Sequence, residues 1–257
     1  MKNKINLFVI IALVVIVSLL TVGCPPEEED SEKEGNIFNG ETITTSTQKK
    51  VNGYDIELWN QNNKGTVSMT LGNRGIFKCS WNGIENVLFR AGKKYNRTQT
   101  HSEIGVFSIE YDAPKFSITG NVGYLSVYGW VDNPLIEFYI VESRGSYNPG
   151  SGGAGSINHG TATIDGGTYT LYETTRTNQP SINGTQTFKQ YWSIRNSNRT
   201  SGTISVSSHF NAWAEHGMSG IASGKFYEVA LKVEGFQNNG SAEITKNILS
   251  INGVPIQ

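Results

Sequence analysis

Short runs in which apolar and polar residues alternate recur along the chain from about position 37 to its end. Examples are TVSMTL, FSIEYDA, GYLSVYGWV, LIEFYIV and FYEVALKVEGF. Alternation with a period of two is typical of half-buried β-strands, and turn residues separate the runs. The sequence therefore predicts one continuous all-β domain of many short strands, with no internal repeat.

One segment, SSHFNAWAEHGM, has the spacing of a helix instead. Its serines precede the apolar residues Phe210, Trp213 and Ala214, and Gly217 provides a stop. We therefore expect a single helix packed on a large sheet.

The two faces of the central runs differ in chemistry, because successive side chains of a strand point to opposite faces. In GYLSVYGWV, Tyr124, Tyr128 and Trp130 share one face, and Leu125 and Val127 share the other. One face is thus expected to form the core, while the other presents aromatic rings.

Two carboxylates lie on the non-core faces of such runs. In LIEFYIV, Glu137 shares its face with Tyr139, whereas Ile136 and Phe138 point the other way. In FYEVALKVEGF, the residues expected to point away from the core are Glu228, Ala230, Lys232 and Glu234, and those expected in the core are Tyr227, Val229, Leu231 and Val233.

Composition agrees with a β-rich protein. The chain has 29 glycines, and 11% of its residues are aromatic, which favours strands and turns over helices. Its 21 basic and 22 acidic residues nearly cancel, and no basic stripe interleaves with aromatic residues. Nucleic acid is therefore not expected as a partner. We expect a neutral substrate instead.

The first 24 residues have the order of an export signal: Lys2 and Lys4, a long apolar stretch, and then Gly23-Cys24. LTVGC is similar to a bacterial lipobox, which implies lipidation of Cys24, although Leu20 lies one place too far from the cysteine. Residues 24–36 are acidic and proline-led, as in a solvated tether. Simple secretion and a true membrane-spanning anchor are the alternatives.

Cysteine and histidine give no sign of a metal site. If Cys24 is lipidated, only Cys79 remains, so no intrachain disulfide is available, and we expect Cys79 to be packed in a strand. No His or Cys cluster has the spacing of metal ligands. Neither a metal nor another cofactor is expected.

An aromatic strand face that also carries carboxylates suits a sugar chain. The axial C–H faces of sugar rings pack on aromatic planes, and two carboxylates can hydrolyse a glycosidic bond. Alternation by itself does not bring Glu137 close to Glu234 in space. The residues therefore indicate a candidate groove, but they do not show that the two carboxylates lie next to each other in it.

YGWVDNPLIEFYIVES and KVEGFQNNGSA resemble the two active-site signatures of glycoside hydrolase family 11, the endo-β-1,4-xylanases. The resemblance covers nearly all of residues 40–257. NGYDIELWNQ is similar to the N-terminal strand motif, the stretch around NQPSINGTQ to the thumb hairpin, and HFNAWAEHGM to the single helix.

This resemblance implies a β-jelly roll of two twisted antiparallel sheets, shaped like a partly closed right hand, with one helix packed on the outside. It implies that Glu137 is the nucleophile and Glu234 the acid/base of a retaining xylanase. Glu137 must then be ionised while Glu234 holds a proton, since two neighbouring negative charges cannot both form cheaply. Xylan, acted on by a monomer, is the implied partner.

The resemblance also implies a set of substrate-contacting positions. In the thumb, Pro180, Ser181 and Ile182 are expected to lie over the sugar, with Asn183 and Gly184 forming a tight turn. The full set of implied substrate-binding residues is Trp59, Asn86, Tyr128, Trp130, Tyr139, Arg176, Pro180, Ser181, Ile182 and Gln190.

Two other functions are compatible with these residues. One is a jelly-roll β-1,4-glucanase with the same two-carboxylate chemistry, against which the PSI thumb sequence argues. The other is a surface carbohydrate-binding protein without catalysis, which would have no reason to keep both Glu137 and Glu234 in the groove.

Overall fold

The structure, a computed structural model, describes residues 37–151 and 155–256. All of these fall within one compact unit, Asn36–Gln257. The expected export signal at 1–23, Cys24 and the acidic tether at 24–36 lie outside the described residues. Among the described residues, no helix is both long enough and apolar enough to cross a membrane.

Strands dominate the described residues, as the alternating pattern predicts. In chain order they are β1 (Thr42–Ile43), β2 (Thr47–Val51), β3 (Tyr54–Asn60), β4 (Thr66–Leu71), β5 (Phe77–Asn82), β6 (Asn86–Lys94), β7 (Phe107–Asp112), β8 (Lys115–Thr119), β9 (Gly123–Asp132), β10 (Ile136–Arg144), β11 (Ile157–Ile164), β12 (Gly167–Ser181), β13 (Gly184–Arg195), β14 (Ser201–Ile204), β15 (Lys225–Phe236), β16 (Asn239–Ile244), β17 (Lys246–Ile251) and β18 (Val254–Pro255).

The expected helix is α2 (Val206–Glu215), which follows Ser205 and ends just before Gly217, whose φ is +87°. It begins one residue earlier than the serine pair indicated. Two single turns of helix that the sequence analysis did not predict are α1 (His101–Ile104) and α3 (Gly220–Ser223). One long helix on a β scaffold is therefore confirmed.

The larger layer is a sheet of nine strands in the order β11-β12-β13-β10-β9-β15-β6-β3-β2. The row has eight pairs of neighbouring strands, and in one of them β10 runs parallel to β13. The expectation of purely antiparallel sheets is wrong at this pair. The chain leaves β10, passes through β11 and β12, and only then returns beside β10, and such a long crossover permits parallel pairing.

The second layer is divided into a five-stranded sheet, β1-β4-β5-β16-β8, and a four-stranded sheet, β14-β7-β17-β18. The expected single second sheet is thus interrupted. Pro114 separates β7 from β8 and has no N–H to offer the ladder. Beside this break, the Thr245 N–H donates to the Asp112 carbonyl at 2.9 Å, where β16 passes into β17.

The main core contains the predicted inward-facing residues of the nine-stranded sheet. Leu125, Val127 and Phe138 have no exposed surface. Helix α2 covers this same face, with the Phe210 ring 5.0 Å from that of Phe138, and Trp213 Nε1 donates to the Trp192 carbonyl at 3.4 Å. The two-layer β architecture is confirmed, and the helix lies on the side of the sheet opposite the aromatic face.

Cys79 is buried in β5, as expected, and packs in this core. Burial raises the pKa of its thiol. The thiol therefore stays protonated at neutral pH and behaves as a small apolar side chain.

Tyr227 departs from the predicted alternation. A register shift between Phe226 and Glu228 in the pairing of β15 with β9 inserts one residue into β15. Phe226 consequently enters the core, while Tyr227 packs with the aromatic residues of the other face. The expectation that Tyr227 is a core residue is wrong because a bulge reverses the parity at that point.

Candidate active site

A cleft of about 800 Å³ opens on the face of the nine-stranded sheet opposite the core. It lies over a second cluster of buried aromatic and aliphatic side chains. The structure brings all of the site residues expected from the sequence in the described part of the chain to this cleft. They are Trp59, Asn86, Tyr128, Trp130, Glu137, Tyr139, Arg176, Pro180, Ser181, Ile182, Gln190 and Glu234.

Glu137 is held by hydrogen bonds to both carboxyl oxygens. Tyr128 Oη donates to Oε1 at 2.9 Å, and Gln190 Nε2 donates to Oε2 at 2.6 Å. Trp130 Nε1 in turn donates to Tyr128 Oη at 2.5 Å. These donors come from β9 and β13, the two strands that flank β10, so the sheet itself orients the carboxylate.

The donor Gln190 is positioned by a further chain of hydrogen bonds. Thr174 Oγ1 donates to Gln190 Oε1 at 3.1 Å, and Trp192 Nε1 donates to Thr174 Oγ1 at 2.9 Å. The Gln190 amide is therefore fixed with its NH₂ toward Glu137 and its oxygen toward Thr174.

The groups around Glu137 shift the pKa of its carboxyl in opposite directions. Burial raises the pKa of this carboxyl, and the charge of Glu234 adds to the rise. The hydrogen bonds from Gln190 and Tyr128 and the Lys232 ammonium oppose the rise. The net result is a raised pKa, as expected for a carboxyl that is only 7% exposed.

Glu234 lies on β15 and is 8% exposed. On β9, the strand between the two carboxylates, Glu234 pairs with Tyr124 and Glu137 with Trp130. Glu234 forms an ion pair with Lys232, two residues earlier on the same strand and fully buried. Burial lowers the pKa of the Lys232 ammonium, while the neighbouring carboxylates counteract this fall.

Tyr139 links the two carboxylates with the aromatic floor. Its ring stacks on Trp192, with centroids 4.0 Å apart and planes inclined by 15°. Burial raises the pKa of both the Tyr128 and the Tyr139 hydroxyl well above the usual value, and the charge of Glu137 adds to both rises. Both phenols therefore remain protonated and able to donate hydrogen bonds.

Trp59 and Asn86 form the part of the cleft contributed by β3 and β6. Trp59 is half-buried and pairs with Leu88, which also pairs with Glu234 on the other side of β6. The side-chain oxygen of Asn86 is buried and has no hydrogen-bond partner among the described residues. It remains free to accept a hydrogen bond from a protonated group or a sugar hydroxyl.

The thumb, defined as the hairpin of β12 and β13 around residues 178–187, forms one wall of the cleft. Its turn is closed by Ser181, whose Oγ donates to the Gly184 carbonyl at 2.7 Å. Gly184 has a φ of +77°, whereas Asn183 is not in the left-handed region. The expected tight turn at Asn183-Gly184 is therefore centred one residue earlier, at Ile182-Asn183, with Gly184 as the left-handed residue after it.

The thumb tip is tied to the opposite wall by a group of polar contacts, here called the latch. Arg97 Nη1 donates to Asn183 Oδ1 at 2.6 Å, and Asn183 Nδ2 donates to Asp132 Oδ1 at 3.1 Å. Arg97 also pairs with Asp132 at 3.4 Å and lies 4.5 Å from the centre of the Tyr227 ring. The latch therefore joins the thumb tip to Arg97, which follows β6, and to the end of β9.

Arg176, at the base of the thumb, lines the cleft but makes no contact with Glu137 among those of the described residues. Its Nη2 donates to Gln179 Oε1 at 3.1 Å. The guanidinium is exposed there, where it can reach a bound chain. Gln190 differs, because it contacts the carboxylate directly.

A separate group of charges lies at the latch end of the cleft floor. Arg90 contacts Glu57 at 2.7 Å and Glu228 at 3.0 Å, and Lys94 contacts Glu57 at 2.7 Å. Glu57, Arg90 and Lys94 line the cleft. Since acidic and basic groups alternate here, they largely neutralise one another.

Several cleft residues were not selected from the sequence. Trp192 shares its strand parity with Gln190, and that alternation could have identified it. The sequence placed Lys232 on the correct face but assigned it no role, because its partners depend on three-dimensional contacts. Lys232 is buried below the cleft lining, whereas Tyr124, Phe188, Tyr227 and Phe236 are among the other lining residues that were not selected.

Within residues 37–151 and 155–256, no group of three or more His, Cys, Asp or Glu side chains could hold a metal ion. The chemistry available in the cleft is that of the buried carboxyls Glu137 and Glu234, besides the ion-paired Glu57, together with hydroxyl and amide donors and aromatic surfaces. Such a site can donate a proton, attack an electrophilic carbon and stack on sugar rings.

Comparison with known proteins shows the family relationships of the chain. The model of the family described as Glycosyl hydrolases family 11 matches residues 51–245. Endo-1,4-beta-xylanase A of Bacillus pumilus is 51% identical over 210 residues, covering 82% of this chain and 87% of that protein. Endo-1,4-beta-xylanase A of Thermoclostridium stercorarium is 50% identical over 219 residues, covering 85% of this chain and 31% of that protein.

Solved structures give the same relationship. The structure of the family 11 xylanase from Neocallimastix patriciarum has a TM-score of 0.73 and 33% sequence identity to this chain, and the match covers 82% of this chain and 100% of that one. This chain therefore spans the whole Neocallimastix structure and most of the Bacillus protein, but less than a third of the length of the Thermoclostridium relative.

Proposed function

Because the chain belongs to Glycosyl hydrolases family 11, we propose that it is an endo-1,4-β-xylanase that cleaves internal bonds of xylan with retention of configuration. Glu137 is the nucleophile and Glu234 the acid/base. The observation that carries this proposal is a pair of buried carboxyls on one aromatic cleft, one of them hydrogen-bonded through both oxygens.

In the first step, Glu137 attacks the anomeric carbon of a xylose unit while Glu234 gives its proton to the departing glycosidic oxygen. The C–O glycosidic bond breaks, and a glycosyl ester forms on Glu137. The hydrogen bonds from Tyr128 and Gln190 support this role, because they favour the ionised form of Glu137 against the burial that disfavours it.

In the second step, the Glu234 carboxylate takes a proton from a water molecule, and the water oxygen attacks the anomeric carbon. The ester bond to Glu137 breaks, and Glu234 is again protonated. Glu234 thus acts as an acid in the first step and as a base in the second.

The remaining cleft residues suit a chain of sugar rings. Trp59 offers an aromatic plane for stacking, and the thumb residues Pro180, Ser181 and Ile182 cover the cleft from the other side. Asn86, Arg176 and Trp130 lie along the wall as hydrogen-bonding or packing surfaces for hydroxyl groups and ring faces. All of these groups come from one chain, so a monomer suffices.

Relatives named for this activity support xylan as the substrate. The Bacillus protein, which this chain matches over 87% of its length, is an Endo-1,4-beta-xylanase A. A relative from Ruminococcus flavefaciens, 45% identical over 216 residues, is named Xylanase/beta-glucanase, so glucan is the second polymer to test.

Reducing-sugar release from xylan and from carboxymethyl cellulose tests the proposal, with Glu137→Gln and Glu234→Gln measured beside the unmodified protein. We expect release from xylan only, and a loss of about 10³-fold or more in each variant, since each removes a group that takes part in bond breaking. Release from cellulose alone would indicate a glucanase. Binding of xylan without release, unchanged by either substitution, would indicate a carbohydrate-binding protein.

We also propose that residues 1–23 are an export signal, that Cys24 is lipidated, and that residues 24–36 tether the catalytic domain, 37–257, to the cell surface. The basic start, apolar run and LTVGC sequence support this organisation. Labelled fatty acid should be incorporated into the unmodified protein and not into Cys24→Ala. Equal labelling of both would contradict lipidation at this position.

A further inference from the structure

Lys232 is a fully buried lysine on the cleft face of β15. It has no exposed surface, although lysine is rarely buried completely unless it is paired. Its Nζ forms an ion pair with Glu234 Oε2. Removing an ammonium from water is costly, so its presence beneath the candidate acid/base requires an explanation.

Several groups around Lys232 stabilise a positive charge, and they oppose the burial that lowers the pKa of its ammonium. Its Nζ lies 4.1 Å from the ring centre of Tyr139, 4.6 Å from that of Tyr128 and 6.0 Å from that of Tyr124. Aromatic faces attract cations, and more strongly where water is excluded. Three phenol rings and a carboxylate thus replace the water that an exposed ammonium would have.

Charged and titratable groups face Lys232 from each neighbouring strand. Glu234 lies on β15, the same strand as Lys232. On β6, Arg90 is the residue opposite Lys232 in the strand register. On β9, Ser126 is the paired residue, with a buried hydroxyl that has no hydrogen-bond partner among the described residues. The remaining groups are Tyr124 and Tyr128 on β9 and Glu137 and Tyr139 on β10.

We propose that Lys232 is a positioning residue of the reaction, which fixes the Glu234 carboxyl through its ion pair and, through its positive charge, favours the ionised form of Glu137. The inference rests on the roles proposed above for these two carboxyls. Lys232 does not touch the substrate, because it is completely buried.

The positional effect follows from the geometry of the ion pair. Lys232 engages Oε2 of Glu234, so the other oxygen, Oε1, is the one available for proton exchange with the glycosidic oxygen or with water. A carboxyl held at one oxygen loses rotational freedom about its terminal bond. Proton transfer from a fixed carboxyl is faster, because less reorientation is needed in the transition state.

The electrostatic effect acts on Glu137. A nearby positive charge favours ionised carboxylates, so Lys232 helps Glu137 to ionise despite its burial. The acidic limb of the pH profile, where Glu137 becomes protonated, should consequently lie at lower pH than it would without Lys232.

The pH dependence of kcat/KM on xylan, measured for the unmodified full chain, Lys232→Met and Lys232→Gln, tests this proposal. In Lys232→Met, we expect the acidic limb to move to higher pH by roughly one unit or more, as for loss of a nearby opposite charge. At its new optimum kcat should be about tenfold or more lower, because Glu234 is no longer held.

Lys232→Gln separates the two effects, since an amide can donate a hydrogen bond but carries no charge. Its acidic limb should move as in Lys232→Met, while kcat at the optimum should recover in part. Lys189→Met is the matched control: it removes a lysine that does not line the cleft and that is ion-paired with Glu173 rather than with either of the two carboxyls. We expect the acidic limb of its pH profile to stay in place.

An acidic limb that does not move in a folded Lys232→Met, with circular dichroism and Tm as the checks on folding, would overturn the proposal. If neither variant folds, ¹⁵N NMR of lysine-labelled unmodified protein provides the test, because the ammonium of a fully buried lysine exchanges slowly and is thereby identified. A neutral Lys232 amine within the active pH range would contradict the proposal. Inactivity of the unmodified protein on xylan would instead contradict the proposed function.

Discussion

At the scale of single residues, the buried carboxyl of Glu137 lowers the stability of the folded protein. Glu137 is buried on β10, where the adjacent residues are aromatic and aliphatic. This burial raises the pKa of its carboxyl. When the pKa of a carboxyl is higher in the folded than in the unfolded state, its protonated form favours folding. This contribution to stability is fully present below the unfolded-state pKa and is lost as the pH rises through the folded-state pKa. At neutral pH, the ionised Glu137 therefore destabilises the fold.

Glu137→Gln should therefore be more stable than the unmodified protein at pH 7. We expect its Tm to rise by at least about 2–4 °C, the change that roughly 1 kcal/mol produces in a domain of this size. Below pH 4 the difference should disappear, because Glu137 is then protonated and uncharged like the amide. Differential scanning calorimetry at both pH values measures the two differences.

Glu85→Gln is the matched control for this experiment. Glu85 is half-buried and accepts a hydrogen bond from Asn62 Nδ2 at 2.8 Å, which an amide oxygen can also accept. We expect its Tm to be close to that of the unmodified protein at both pH values. A Tm of Glu137→Gln at pH 7 below the unmodified value would contradict the account of Glu137.

At the scale of elements, alternation predicted most of what positions the cleft. The faces of β9 and β10 could be assigned from sequence because their two sets of side chains differ so clearly, Tyr128 and Glu137 against Val127 and Phe138. The same rule failed at Tyr227, since a bulge shifts the parity without any local signal in the sequence.

Other features depend on contacts between distant parts of the chain and could not be derived from local pattern. The parallel pairing of β10 and β13 arises from a long crossover, and the division of the second layer occurs where β7 and β16 end together. The position of the twelve site residues along the cleft required the family resemblance in addition to alternation. The ion pair between Lys232 and Glu234 was not predicted by either.

The thumb is the element whose position depends on few contacts. Its tip is held by the latch of Arg97, Asn183 and Asp132. We expect Arg97→Ala to loosen the tip, raising KM for xylan by roughly tenfold, in line with the loss of about 1–1.5 kcal/mol for a charge-assisted hydrogen bond. Hydrogen exchange of the amides in residues 178–187 should become faster.

Arg74→Ala is the control for the latch. Arg74 is exposed and, like Arg97, has a positive φ, 53° against 60°, so the two substitutions impose the same backbone preference. KM and exchange in the thumb should be unchanged in this variant. Thumb exchange in Arg97→Ala no faster than in Arg74→Ala would show that the latch does not hold the tip.

At the scale of the whole molecule, the two layers separate support from function. The core face of the nine-stranded sheet is covered by the second layer and by α2, where Phe210 packs on Phe138 directly behind Glu137. The opposite face carries the cleft. The carboxylates thus lie on a packed floor, while the thumb forms a wall whose tip is held by the latch.

The central claim, that Glu137 is the nucleophile of a retaining xylanase, is tested most directly by trapping the glycosyl ester. A 2-deoxy-2-fluoro-xylobioside with a good leaving group should inactivate the protein and add one fluoro-xylobiosyl unit, located by peptide mass spectrometry on Glu137. Glu234→Gln should still be labelled, since the leaving group needs no proton. A label on Glu234, or turnover of xylan without any trapped ester, would contradict the account.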